Sequence, residues 1–406
     1  MNDATQGTAL SSGLSRDDPG TAADCIARAK SLIPLLQSAA ARIDAANELP
    51  EDVLDAMHAA GMFRLLLPRA YGGYELKPRD YIQCVEAIAM GDASAAWCMN
   101  QGSGCSMASA YLAPDIVREV WGGARDVLAW GQGPGAKAYR ADGGWRVTGT
   151  WSFASGSRHA SWLGAMCPCF EADGTPVRHP DGRPWERTML FRRDKARIDD
   201  VWQVMGLRGT GSDNYTIKDL FIDDAHSLTR ESPDERRETG TLYRFQAMQL
   251  YSSGFSSVAL GVSRAMLDAF IALAKGKTQA WSSDPLRDNN AVQNIIGYSD
   301  AAWKAARAGL HKVLDDVWGE VEQSGQLTVP HRIAIRQATT YAIHTSRDVA
   351  HHIFHEAGST AIFNNQPFER RLRDVNSVSQ QLQGRRTHFE TVGLYLLGGE
   401  PNLRWI

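Results

Sequence analysis

AKAYRADGGWRVTGTWSFASG, residues 136–156, alternates apolar with polar side chains and breaks once, at Ala141-Asp142-Gly143-Gly144. Period two sends successive side chains to opposite faces of a strand, and Asp-Gly suits a two-residue link between antiparallel strands. The stretch therefore predicts a β-hairpin. The same alternation, rich in Val, Thr, Trp and Phe, recurs in DVLAWGQG (126–133), WLGAMCPCFE (162–171), RTMLFRR (187–193) and YTIKDLFID (215–223). A β domain of about a hundred residues follows, set at 125–230, with the form of a small barrel or sandwich.

On both sides the period changes to that of a helix. IARAKSLIPLLQSAAARIDAANELP (26–50), EDVLDAMHAAGMFRLLL (51–67) and RDYIQCVEAIAMGDASAAWCMNQGSGCSMASAYL (79–112) each carry an apolar stripe. Pro50 with Glu51 and Asp52 has the composition of a helix opening, and Gly72-Gly73 that of a turn. Beyond the β domain four long helices are predicted, at about 244–276, 287–324, 328–357 and 367–398. Pro285, Pro330 and Pro367 stand at their joints. The fold class is thus α+β and multidomain: a helical domain at 25–124, the β domain, and a four-helix bundle at 231–406. Residues 1–24 are polar and of mixed charge, a flexible leader with no apolar signal core. Where three such domains meet, a cleft for a cofactor is expected.

Composition narrows the class of function. The net charge is −3 over 406 residues, which gives no electrostatic reason for a nucleic-acid or anionic-membrane partner. No uninterrupted apolar run approaches the ~18 residues of a membrane span, so a cytoplasmic location is the expectation. Six cysteines include no CxxC pair, and Cys167-Pro168-Cys169 is too tight for a metal knuckle. They are expected as free thiols in a reducing compartment. His351, His352 and His355 have the spacing of a metal site on a helix, but no carboxylate partner is fixed beside them, and no metal is expected.

Five segments, in order, resemble the acyl-CoA dehydrogenase superfamily: LPEDVLDAMHAAGMFRLLLPRAYGGYEL (49–76), GDASAAWCMN (91–100), GGWRVTGTWSFASG (143–156), VWQVMGLRGTGSDNYTIKDLFI (201–222) and ALGVSRAMLDAFIALA (259–274). The resemblance implies a flavin, FMN or FAD, and a homotetramer. An isoalloxazine needs aromatic faces and hydroxyl donors. Trp151, Phe153 and Trp202 are the expected faces, and Ser155, Thr210 and Ser212 the hydroxyls. Gly209 would allow close backbone approach, and Arg208 would meet a phosphate. Arg287 and Gln293 lie where family members hold the cofactor's phosphate, although the family's arginine-phenylalanine-glycine pattern is absent. Trp97, Gln101, Cys105 and His159 are the expected substrate pocket.

The superfamily divides by chemistry. Its dehydrogenases need a carboxylate to remove an α-proton beside a thioester. The matching position before Gly384 is Gln383, with Glu369 upstream as the remaining candidate base. WSFASGSRHASW (151–162) and FERRLRDVNSVSQQ (368–381) resemble instead the oxygen-using branch. That branch takes reduced flavin from a separate reductase and oxygenates aromatic compounds with O2 through a flavin C4a-hydroperoxide. Ser155, Asn376 and Gln381 are the residues this implies beside the reacting centre, Gln381 standing where many members carry a histidine. An acyl-CoA dehydrogenase or oxidase, and a catalytically silent scaffold of the same fold, are the alternatives.

Overall fold

The computed structural model describes residues 20–230, 232–278 and 284–406. Six helices come first: α1 (Ala22–Ser31), α2 (Ile33–Ala46), α3 (Glu51–Ala59), α4 (Pro78–Gly91), α5 (Ala93–Ser106) and α6 (Pro114–Trp121). Thr21 opens α1 with a reciprocal cap, its hydroxyl accepting from the Asp24 amide while Asp24 accepts from the Thr21 amide. Helix therefore begins inside the segment expected as a leader. The remainder of that segment, residues 1–19, lies outside the described residues. Every residue of α5 is buried. It is the helix around which the first domain is packed.

The strands are β1 (Leu128–Trp130), β2 (Lys137–Ala141), β3 (Gly144–Trp151), β4 (Trp162–Phe170), β5 (Glu186–Arg192), β6 (Arg197–Asp199), β7 (Asn214–Asp223) and β8 (Ser227–Leu228). Asp142 and Gly143, the latter at φ +72°, join β2 to β3 as the sequence predicts. The sheet order is β6-β7-β3-β2-β4-β5-β8, with β1 alongside β4. Thus β4 is the seam between two halves. Their inner faces, Val147, Trp151, Tyr215 and Ile217 against Leu163, Ala165, Cys167 and Phe191, form a core of their own.

After the sheet come α7 (Ala247–Gly276), α8 (Asn290–Ser324), α9 (Val329–Ala357), α10 (Glu369–Gln380) and α11 (Thr387–Leu396). The predicted helix at 367–398 is broken. Gln381 turns to an extended conformation and its side chain caps a short 3-10 turn at Leu382–Gly384. Helix α7 is long and apolar enough to cross a membrane by length and composition alone, although polar residues interrupt its apolar runs. Its apolar surface is instead spent on α4, α5 and α9.

Helix α10 locks the three parts together. Arg370 pairs with the buried Asp92, the N-cap of α5, at 2.5 Å. Arg373 reaches Asp44 of α2 and donates to the Met205 carbonyl at 2.6 Å. The backbone is so close that a Cβ on Gly206 would lie 2.3 Å from the Arg373 carbonyl.

Candidate functional site

Two loops of the β domain meet beneath α5. Gly156 N donates to the Thr210 carbonyl at 3.0 Å and Ala154 N to the Asp213 carbonyl at 3.1 Å. This pairing lines up three hydroxyls. Ser155 Oγ lies 2.7 Å from Ser212 Oγ, which lies 2.6 Å from Thr210 Oγ1. From the other domain Trp97 donates its indole N–H to Ser155 Oγ at 2.9 Å. All three hydroxyl-bearing residues are nearly buried, so their hydrogen bonds are made in a low-dielectric setting.

Beside this cluster is an open aromatic corner. Strand parity would send Phe153 inward with Trp145, Val147 and Trp151. The chain takes φ +59° at Phe153 instead, and its ring is 64% exposed. It stands edge-on to Trp202, 6.1 Å between ring centres. A bulky residue in the left-handed region is strained, and such strain concentrates at functional sites. Trp151, expected as a flavin face, is fully buried. It stacks on Tyr215 and donates to the Met166 carbonyl inside the sheet core. It has no face to offer; Phe153 and Trp202 have.

Three of the expected pocket residues share one face of α5, a turn apart: Trp97, Gln101 and Cys105. Opposite them α7 presents Tyr251 and Phe255, again one turn apart. Trp97 stacks on Phe255 at 3.9 Å, and Phe255 on Tyr251 at 5.9 Å. Cys105 Sγ lies 3.3 Å from Tyr251 Oη, and Gln101 donates to the Trp130 carbonyl at 3.3 Å. Burial pushes the Cys105 thiol up to about 12 and the Tyr251 phenol well above its usual range, so both stay neutral. Small residues make room for this arrangement. A Cβ on Gly104 would enter the Tyr251 ring, and one on Gly254 would strike Asn100. His159 is not part of it. The ring is buried against Phe63, and desolvation lowers it to about 3, leaving it neutral under the first domain.

Of the candidate residues on the last helices, one touches the turn of the β domain and the others bond within their own domain. Asp374 accepts from the Leu207 amide at 2.7 Å and so fixes the turn that carries Thr210 and Ser212. Its carboxyl is raised to about 7 by burial, opposed by Arg370. Asn376 faces α9, where its carbonyl oxygen meets His351 Nε2 at 3.0 Å. Gln381 Oε1 caps Gln383 N. Gln383, at the position of the expected base, is held between Arg336 (2.7 Å) and Met248. Glu369 is bound by Arg373 at 2.7 Å.

Four expected cofactor residues stand elsewhere. Gly209 is wedged against Ile43 of α2, where a Cβ would come within 2.1 Å. Arg208 faces away, near Asp44 and Asn47, into a groove of about 1120 Å³ between α2, α7 and α10. Arg287 and Gln293 lie exposed at the start of α8, bonded to each other through the Arg287 carbonyl. The sequence reading missed Tyr251, Phe255 and Asp374. Tyr251 and Phe255 carry a signal, aromatics four apart in YSSGF amid small residues, but it is submerged in a uniformly apolar helix.

The residues fit a flavin. An exposed aromatic corner adjoins a cluster of hydroxyl groups at the junction of three domains, and no carboxylate among the described residues is bonded to that cluster.

Comparison with known proteins agrees. The family profile "Acyl-CoA dehydrogenase, N-terminal domain" matches residues 34–119, and "Acyl-CoA dehydrogenase, C-terminal domain" matches residues 253–383. The chain is 27% identical to an indole-3-acetate monooxygenase of Pseudomonas putida, over 88% of this chain and 90% of that one. It is also 27% identical to the oxygenase subunit HsaA, a flavin-dependent monooxygenase of Rhodococcus jostii, over 86% and 92%. In fold it is similar to XiaF from Streptomyces, solved in complex with FADH2 and glycerol, with a TM-score of 0.87 at 20% identity over 95% and 98% of the two chains.

Proposed function

This chain belongs to the acyl-CoA dehydrogenase superfamily, and we propose that it is the oxygenase component of a two-component flavin-dependent monooxygenase acting on a small aromatic or heteroaromatic compound. One observation carries the reading. Trp97, Ser155, Ser212 and Thr210 form a closed hydrogen-bonded cluster beside the exposed Phe153 ring, while an amide, Gln383, occupies the position a dehydrogenase gives to its base.

Bound there, reduced FMN or FAD supplies the activation of O2 and the transfer of one oxygen atom to the ring. The chain's part is positional. Phe153 and Trp202 give the flavin an apolar corner, and Ser155 presents a hydroxyl whose direction is set by Trp97 and Ser212. The Trp97–Phe255–Tyr251 wall holds a flat substrate and keeps water from it. His351 and Asn376 lie to one side, and Gln381 adds an amide rather than a proton relay. A substrate that needs no deprotonation suits this set best.

The relatives' oxygenase-subunit nature supports a separate flavin reductase as partner. A homotetramer is supported by exposed Tyr298, Tyr341, Leu396 and Leu397 on the C-terminal helices. Six buried free thiols suit a cytoplasmic location.

The test is direct. Purified protein mixed with chemically reduced flavin, then with oxygenated buffer, should show a transient absorbance distinct from oxidised and reduced flavin. Anaerobic acyl-CoA thioesters should leave bound oxidised flavin unbleached. Bleaching by thioester with no transient would reverse the reading.

A further inference from the structure

Arg230 stands just beyond β8, and its guanidinium lies over the Trp130 ring, 4.5 Å from the centroid. One N–H donates to Met166 Sδ at 3.1 Å. No carboxylate among the described residues pairs with it. Of the two acids that follow in the described chain, Asp234 points to solvent with no bond to Arg230, and Glu235 is taken by Arg187 at 2.8 Å and by Thr229. A guanidinium carries five N–H donors, so most of this one's bonding capacity is unspent.

Its surroundings are those of the far end of the aromatic contact between α5 and α7. Trp130, which it covers, accepts from Gln101 through its carbonyl. The Arg230 charge also reaches the Cys105 thiol and the Tyr251 phenol, lowering both against the larger effect of burial. Those two groups remain neutral, and Gln101 is an amide. Among the described residues, this end of the aromatic wall therefore holds one cation and no anion bonded to it. At the other end Trp97 bonds to Ser155, and the stacked rings of Phe255 and Tyr251 run between.

Resting on the monooxygenase reading, we propose that the substrate is an aromatic carboxylate, its flat ring lying along Trp97, Phe255 and Tyr251 and its carboxylate paired with Arg230. A carboxylate would use the guanidinium's unspent donors in a forked geometry. Gln101 and Tyr251 flank that anion as neutral donors. Arg230 is thus a specificity residue, placed away from the reacting atoms.

The experiment uses equilibrium titration of the full chain, with and without FMN, followed by tryptophan fluorescence and calorimetry. The probes are indole-3-acetate, its uncharged isostere indole-3-acetamide, and inorganic phosphate. The acetate should bind at least about tenfold tighter than the amide, the amount a single charge-assisted pair supplies. Arg230→Met, which keeps an apolar stem on Trp130, should erase that preference and leave amide affinity within about twofold. Arg230→Lys should retain part of it. Phosphate should not displace the acetate at equal concentration, because it offers no ring to the aromatic wall.

Equal affinities in the unaltered protein would overturn the proposal, as would a preference that survives Arg230→Met. Loss of both probes in Arg230→Met would reduce Arg230 to a packing role for Trp130 and overturn it too. Displacement by phosphate would mark the arginine as a general anion contact. These titrations need no oxygen chemistry. A protein that prefers the acetate yet takes no reduced flavin would sink the monooxygenase reading while leaving the role of Arg230 in place.

Discussion

Trp97 and Ser155, 58 positions apart, are joined by a 2.9 Å hydrogen bond that crosses from the first helical domain into the β domain. The bond fixes the Ser155 hydroxyl at the corner assigned to the flavin. Ser155→Ala would leave a buried indole N–H without its acceptor, at a cost of about 1–3 kcal/mol. Melting temperature should fall by a few degrees. Hydroxylated product per O2 consumed should fall about tenfold or more, with oxygen uptake persisting. Trp97→Phe in the Ser155→Ala background removes the orphaned donor and should restore part of the stability but none of the coupling. A double variant no more stable than Ser155→Ala would show that the bond contributes little.

Asp374 and the Leu207 amide give the fold a pH response. The native carboxyl is raised to about 7 from 3.8 by burial. In that interval the folded chain holds a proton the unfolded chain has released. The stability it contributes is therefore complete below the unfolded value and is lost as pH rises toward 7. Asp374→Asn keeps an oxygen for the Leu207 N–H and removes the charge. Scanning calorimetry should find the variant's advantage over the parent larger at pH 8 than at pH 5, by roughly 2–4 °C. An advantage of the same size at both values would assign the effect to packing.

The order of helical, β and helical domains was legible because the hydrophobic period changes from 3.6 to 2 and back. The site was legible only in part. Ser155 on one loop and Thr210 and Ser212 on another come together in the structure, each carried by a short motif that the sequence displays. Trp151 and Phe153 did not, since parity gives them the same face and only the left-handed turn at Phe153 separates them. Arg287 and Gln293 stand apart because a position in a family pattern fixes no direction for a side chain. Asp374 meets Leu207 across 167 positions, a contact that periodicity does not encode. The break at Gln381 was hidden for another reason: its cap is a side-chain bond to Gln383 N, with no proline there and only a single glycine, Gly384, closing the turn.

Gln383 offers a test between the two chemistries of the superfamily. Gln383→Glu places a carboxylate at the position of the dehydrogenase base. Arg336, lowered to about 9 by burial, lies 2.7 Å from the present amide oxygen and would hold the new carboxylate as an ion pair. An arginine-bound carboxylate is a weak base. The variant should fold, should not be bleached by acyl-CoA thioesters under anaerobic conditions, and should keep its transient with oxygen. Bleaching by a thioester in this single variant would show a pocket already built for α-proton removal.

Phe153 separates stability from function. At φ +59° an L residue is strained by roughly 1–2 kcal/mol, a cost glycine does not bear. Its ring is mostly exposed, so little burial is lost when it is removed. Phe153→Gly should therefore leave the melting temperature of the flavin-free protein unchanged or raise it by one or two degrees. The same change removes an aromatic face from the corner shared with Trp202, and the dissociation constant for reduced flavin should rise about tenfold. Phe153→Ala should weaken flavin equally without the gain in stability, because alanine keeps the Cβ that makes this conformation costly. Fluorimetric flavin titration and calorimetry on the three proteins decide it. Unchanged flavin affinity in both variants would mean that the strain at Phe153 serves the loop alone, and would move the flavin's apolar contact to another residue.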